Sequence, residues 1–203
     1  MNLILIRHVE TLHNQSGVIM GRSVDSIITQ EGTKRFERTL RDFCTRVSIP
    51  NNALMLCSPA RRCLQTMKLV VDVLGIDWLV EVTPSLNETD YGDFEGKSVD
   101  EVRERFPHLM ETWLRKPANI RFPKGETFGE VQERALSKVR ELESVYLDKT
   151  VLMCTHVDVI KMILCGLLEM SIDMKPFFDI SNGSFTYISS SYRGLVVRMV
   201  NFV

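Results

Sequence analysis

The sequence predicts an α/β fold: a three-layer α/β/α sandwich on a mostly parallel mixed sheet, with a small helical insertion. Two observations carry this expectation. Short, continuous apolar runs at residues 3–6, 53–57 and 151–154 read as strands covered on both faces. Stretches of helical periodicity separate them, the pattern of strands joined by crossover helices. The chain has 203 residues, 44% hydrophobic and 25% charged, which is enough to bury one full core.

The helices are signalled in order. Thr29 is placed to cap a segment in which Phe36, Leu40, Phe43 and Val47 recur at helical spacing. Ser58-Pro59 reads as an N-cap followed by proline at the first helical position, opening a helix that buries Leu64, Met67, Val70, Val71 and Leu74. Ser98-x-x-Glu101 and Thr127-x-x-Glu130 are capping boxes, the second opening a long helix with Val131, Leu136, Val139 and Leu142 inward. A last helix carries Val159, Ile160, Ile163, Leu164 and Leu167, and two strands near 185–188 and 195–202 follow, joined through Gly194. The stretch from about 91 to 124, broken by Pro107, Pro117 and Pro123, reads as an insertion beside the sheet within a single domain of residues 1–203.

Composition narrows the partners. The net charge of -1 gives no global basic field for nucleic acid or an anionic membrane. There is no run of roughly 20 apolar residues. The apolar N-terminus stops at Arg7-His8 without a basic leader, so a strand and a cytoplasmic protein are expected. The five cysteines, odd in number and without C-x-x-C spacing, read as reduced core thiols.

Three of the apolar strands end in residues that bind or transfer anions: Arg7-His8, Ser58 with Arg61 and Arg62 following, and Thr155-His156. Ligands of open α/β sheets bind at the carboxyl ends of strands, where helix N-termini add backbone donors. Such a cluster suits phosphoryl transfer. Arginine forks match the equatorial oxygens, a neutral imidazole serves as nucleophile, and a carboxylic acid is needed to protonate the departing alkoxide. A zinc site built on His8 and His156 lacks a third ligand, and the adjacent arginines oppose a cation.

Six blocks then carry a family resemblance. Arg7-His8-Val9-Glu10-Thr11 with Asn14 resembles the R-H-G-E-T-x-x-N signature of the histidine phosphatase superfamily, the phosphoglycerate mutase-like fold. Gly21-Arg22, Asp25-Ser26 and Thr29-x-x-Gly32 resemble its second block, and Ser58 to Thr66 its S-x-x-x-R-x-x-Q-T block. Leu86-Asn87-Glu88 with Tyr91-Gly92-Asp93-Phe94-Glu95-Gly96, Pro123-x-Gly125-Glu126-Thr127, and Thr155-His156 supply the rest in the family's order. At 203 residues the chain resembles the compact phosphatase branch, which includes α-ribazole and broad-specificity phosphatases.

The resemblance implies the site. His8 is the expected nucleophile, with Arg7 and Arg62 holding the phosphoryl oxygens and His156 completing the pocket. Glu88 is the expected acid and then base; Asn14, Asn182 and Gly183 would line the pocket, and Arg22 would add a phosphate or substrate contact. The implied activity is hydrolysis of a small phosphorylated metabolite with no metal or cofactor. A cofactor-dependent phosphoglycerate mutase uses the same phosphohistidine and stays open as an alternative. Val9 and Met20, in place of the usual glycine and glutamine, and Val157-Asp158, in place of a glycine-rich pair, depart from the family pattern; Val9 and Val157-Asp158 motivate a third reading, a phosphate-binding or protein-interaction domain without turnover. Arg103, Arg105, Arg115, Lys116, Arg121 and Lys124 in the insertion read either as a solvated surface or as a lid for a second anionic group. The C-terminal strands form a sheet edge able to pair in a homodimer.

Overall fold

The computed structural model describes residues 1–77, 79–192 and 194–203. The chain runs β1 (Asn2–Arg7), α1 (Leu12–Gln15), α2 (Gln30–Cys44), β2 (Leu54–Cys57), α3 (Arg61–Leu74), β3 (Val80–Val82), α4 (Val99–Arg105), α5 (Pro107–Arg115), α6 (Phe128–Val145), β4 (Thr150–Thr155), α7 (Val157–Leu167), β5 (Phe185–Ser191) and β6 (Gly194–Phe202). Among the described residues the sheet has six strands in the order β3-β2-β4-β1-β5-β6. β1 to β4 pair parallel, and β5 runs antiparallel to both of its neighbours.

The continuous apolar runs have the physical basis the sequence suggested. Successive strand residues point to opposite faces, and both faces are covered. Leu3, Leu5, Leu56, Val151 and Met153 pack with α6 and α7 on one side. Ile4, Ile6, Met55, Cys57, Leu152 and Cys154 pack with α2 and α3 on the other. No polar face is left along β1 or β4, where every residue from Leu3 to Ile6 and from Val151 to Cys154 is fully buried. The insertion shares the first of these clusters: Phe94, Phe106, Trp113 and Phe122 join Tyr91 and Phe128 in one group of ring contacts. Both capping boxes form as expected, at Ser98 and Thr127, and Thr29 caps α2.

Two local expectations differ. The short edge strand β3 was not foreseen, because three residues with Glu81 in the middle give too little pattern. The helix after β2 begins at Arg61, not Pro59, and its N-cap, Ala60, has no side-chain cap bond. The Ser58 hydroxyl is engaged instead by the His156 Nε2, 2.8 Å away, while Asp25 accepts the Arg61 N–H from a distant loop. Parallel register brings Arg7 opposite Thr155 and Cys57 opposite Cys154, so the chemistry-bearing ends of β1, β2 and β4 emerge side by side. No helix among the described residues is long and apolar enough to cross a membrane.

Candidate active site

His8 is held by three backbone bonds at the end of β1. Its N–H donates to the Thr155 carbonyl at 3.0 Å, and its own carbonyl accepts from Gly183 N–H and Asn182 Nδ2 at 3.1 and 3.2 Å. Its Nδ1 lies 2.8 Å from the Val9 carbonyl, which can only accept. That contact assigns the proton to Nδ1 and leaves the Nε2 lone pair free. Burial, reinforced by Arg62 and then Arg7, holds the ring well below the usual imidazole range, so it is neutral at pH 7.

Arg62 reaches the same point from the first turn of α3. It is 1% exposed, and its guanidinium donates to Asp25 Oδ1 at 3.0 Å and the Gly21 carbonyl at 2.9 Å. Gly21 makes this approach in the left-handed region, φ +59°, where a Cβ would strike the Glu95 carboxylate. Arg62 Nη2 also lies 3.2 Å from His156 Nδ1, which must therefore accept; His156 Nε2–H then donates to Ser58. Arg7 donates to the Ile180 carbonyl. The Nε of both arginines is buried without a partner, two donors in a place suited to an anion.

Glu88 follows the Pro84–Leu86 turn and is 7% exposed. Burial, with Asp158 adding to it, pushes its carboxyl up to about 7, against the Thr89 N–H, Arg62 and Arg7, which act in the opposite direction. Its position is fixed through the backbone: the Glu88 carbonyl accepts from Arg22 Nε at 3.0 Å and Arg134 Nη2 at 3.1 Å, and Glu126 pairs with both arginines.

The pocket these residues form, a cavity of about 130 Å³, is lined by Arg7, His8, Asn14, Arg62 and Glu88 on its polar side. Val18, Ile19, Met20, Trp113 and Val157 form its apolar walls. Several expected contacts take other places. Asn182 and Gly183 brace the His8 carbonyl from behind and do not line the pocket. Arg22 is bound to Glu126 and the Glu88 backbone, outside the lining, because that carboxylate and carbonyl engage its fork. His156 is fully buried behind Arg62, its ring centroid 5.3 Å from that of His8. The insertion contributes Trp113, not cations: Arg103, Arg115, Arg121 and Lys124 pair with Asp100, Glu111, Glu130 and Asp93 away from the pocket.

Of the departures from the family pattern, Met20 and Val157 stand in the apolar wall of the pocket, and the other two are absorbed locally. Val9 does not occupy the positive-φ region, and its side chain is buried in the core in contact range of Gly32. Asp158 is buried at the start of α7, bound to Lys175 and Tyr91. Sequence reasoning gave no role to Asp25, Glu126, Arg134 or Lys175. Asp25 and Glu126 stood inside quoted blocks; Arg134 and Lys175 carried no signal, since each acts through a partner distant in sequence.

Comparison with known proteins bears on the family and the fold. The family model described as histidine phosphatase superfamily (branch 1) matches residues 3–203. Phosphoserine phosphatase 1 of Hydrogenobacter thermophilus is 24% identical over 201 residues, covering 99% of this chain and 92% of the relative. The adenosylcobalamin/alpha-ribazole phosphatase of Escherichia coli is also 24% identical, covering 99% of this chain and 96% of its own. The solved structure of Bacillus stearothermophilus YhfR superposes with a TM-score of 0.87 at 27% identity, covering 100% of this chain and 97% of that one. The chain belongs to the histidine phosphatase superfamily, branch 1.

Proposed function

We propose that this protein is a metal-independent phosphomonoesterase that passes a phosphoryl group from a small ester to His8 and then to water. The observation that carries this reading is the neutral His8 ring, its Nε2 lone pair free, beside the buried Arg62, the half-buried Arg7 and a carboxyl with its pKa near neutrality.

In the first step the Nε2 lone pair forms the N–P bond as the ester P–O bond breaks, and Glu88 gives its proton to the departing oxygen. Arg7 and Arg62 offset the charge on the phosphoryl oxygens, with His156 and Asp25 aiming the Arg62 guanidinium. In the second step the Glu88 carboxylate takes a proton from water, the water oxygen bonds to phosphorus, and the N–P bond breaks. Phosphate leaves with His8 neutral and Glu88 protonated again.

The walls favour hydrolysis of an ester with an uncharged or apolar alcohol. Among the described residues, Arg7 and Arg62 are the cationic side chains that line the pocket, and Arg22, in the adjoining hollow beside Glu88, is paired with Glu126, so a second phosphate, as a mutase requires, would have to draw Arg22 from that pair. Turnover of para-nitrophenyl phosphate in excess EDTA, with His8→Ala beside the wild type, tests the reading. Wild-type activity lost in the variant is expected. Equal activity in both rejects His8 as nucleophile, and loss on chelation rejects metal independence.

A further inference from the structure

A buried charge pair lies behind the pocket wall, outside the phosphoryl-transfer steps. Asp158, in the first turn of α7, and Lys175, in the Ile172–Phe177 turn, meet at 2.9 Å with side chains 5% and 9% exposed. The second oxygen of Asp158 accepts the Tyr91 hydroxyl at 2.6 Å. The Lys175 ammonium rests 3.9 Å from the centre of the Phe128 ring and 5.8 Å from that of Trp113. Tyr91, Trp113 and Val157, the chain neighbour of Asp158, all line the pocket.

A carboxylate there creates an electrostatic problem. The pocket is built to hold a phosphoryl group, and a fixed negative charge behind its wall repels that group with little solvent screening. The Tyr91 hydroxyl and the α7 N-terminus offset part of the charge; an ammonium in contact offsets much of the rest. We propose that Lys175 is a charge-compensating positioning residue of the active site: it neutralises Asp158, so that this carboxylate anchors the Tyr91 hydroxyl at the pocket wall without repelling the substrate's phosphoryl group. This inference rests on the phosphomonoesterase reading.

The surrounding charges are consistent with that role. Glu88, Arg7 and Lys161 all sense Asp158, and Asp179 acts on Arg7 and Lys161. Among the described residues, Lys175 is the cation within ion-pair distance of Asp158. Uncompensated, Asp158 would hold the proton on Glu88 more tightly. Uncompensated, Lys175 would loosen it.

Opposite signs give the test. Lys175→Met and Asp158→Asn are compared for the pH dependence of kcat/KM and for binding of inorganic phosphate by calorimetry. In Lys175→Met the basic limb, set by loss of the Glu88 proton, moves up by about one pH unit, and phosphate binds about tenfold more weakly. In Asp158→Asn the limb moves down and phosphate binds at least as tightly as in the wild type. The double variant returns both readouts toward wild type, and Lys175→Arg preserves them. A merely structural pair lowers the melting temperature without oppositely signed shifts. Limbs that do not move, or that move in the same direction, overturn the proposal. If Lys175→Met does not fold, the downward shift in Asp158→Asn and its reversal in the double variant decide. A wild type that binds phosphate but hydrolyses no ester removes the phosphomonoesterase reading, while the binding comparison still judges the compensation.

Discussion

Replacing Glu88 with glutamine separates its two roles from its structural one. Glutamine has the same shape and still offers an oxygen to the Thr89 N–H, so the fold is expected to survive. With its pKa at about 7, the buried Glu88 carboxyl is roughly half protonated at pH 7; at its ordinary 4.5 it would be protonated in roughly one molecule in three hundred. Burial therefore supplies most of the available acid. Loss of a general acid costs about 10²- to 10⁴-fold where the leaving oxygen needs a proton. Wild-type kcat/KM should be bell-shaped: the basic limb falls through about pH 7 as Glu88 ionises, and the acid limb lies below the usual imidazole range because His8 resists protonation. In Glu88→Gln, kcat/KM for an alkyl phosphate should drop by about 10²- to 10⁴-fold and the basic limb should vanish. With para-nitrophenyl phosphate, whose leaving group is stable as an anion, phosphorylation should persist and hydrolysis of the phosphoenzyme should slow, giving a burst of nitrophenol. Stopped-flow absorbance and a pH series measure all three. Equal losses on alkyl and aryl esters, with no burst and the basic limb retained, would refute the assignment.

Two further substitutions probe the supports. Asp25→Asn removes the charge that aims Arg62 and weakens the cap on the Arg61 N–H; kcat/KM should fall about 10- to 100-fold. Steady-state kinetics check this, and wild-type values would show that Arg62 needs no such partner. Val9→Gly restores the family's usual residue but empties space against Gly32, so denaturant unfolding should show about 1–3 kcal/mol of lost stability with kcat/KM within about twofold. A large gain in activity would mean instead that Val9 narrows the pocket.

What the sequence disclosed was whatever is encoded by neighbours in the chain. The continuous apolar runs follow from two covered faces, and the boxes at Ser98 and Thr127 close within three residues, so each was readable locally. His8, Arg7, Arg62, Glu88 and His156 were legible because they sit in ordered blocks, and the fold places them at the adjoining strand ends and the loops beside them. Contacts between distant residues were not legible. Ser58 looked like a helix cap until His156, 98 positions away, took its hydroxyl. Arg22 looked like a substrate ligand, but Glu126 and the Glu88 carbonyl occupy its fork. Asp158 stood out only as a departure from the family pattern, and its partner is Lys175, which no motif marked. The cations of the insertion could not be told from a lid until their acidic partners were located.

The central claim is that phosphorus becomes bonded to His8. The direct measurement is rapid quench into base during turnover of a phosphomonoester in EDTA, followed by peptide mass spectrometry. The account predicts an acid-labile, base-stable phosphate on His8 that forms no more slowly than turnover, accumulates in Glu88→Gln and is absent from His8→Ala. Steady turnover with no phosphate on His8, or with phosphate on another side chain, would contradict it.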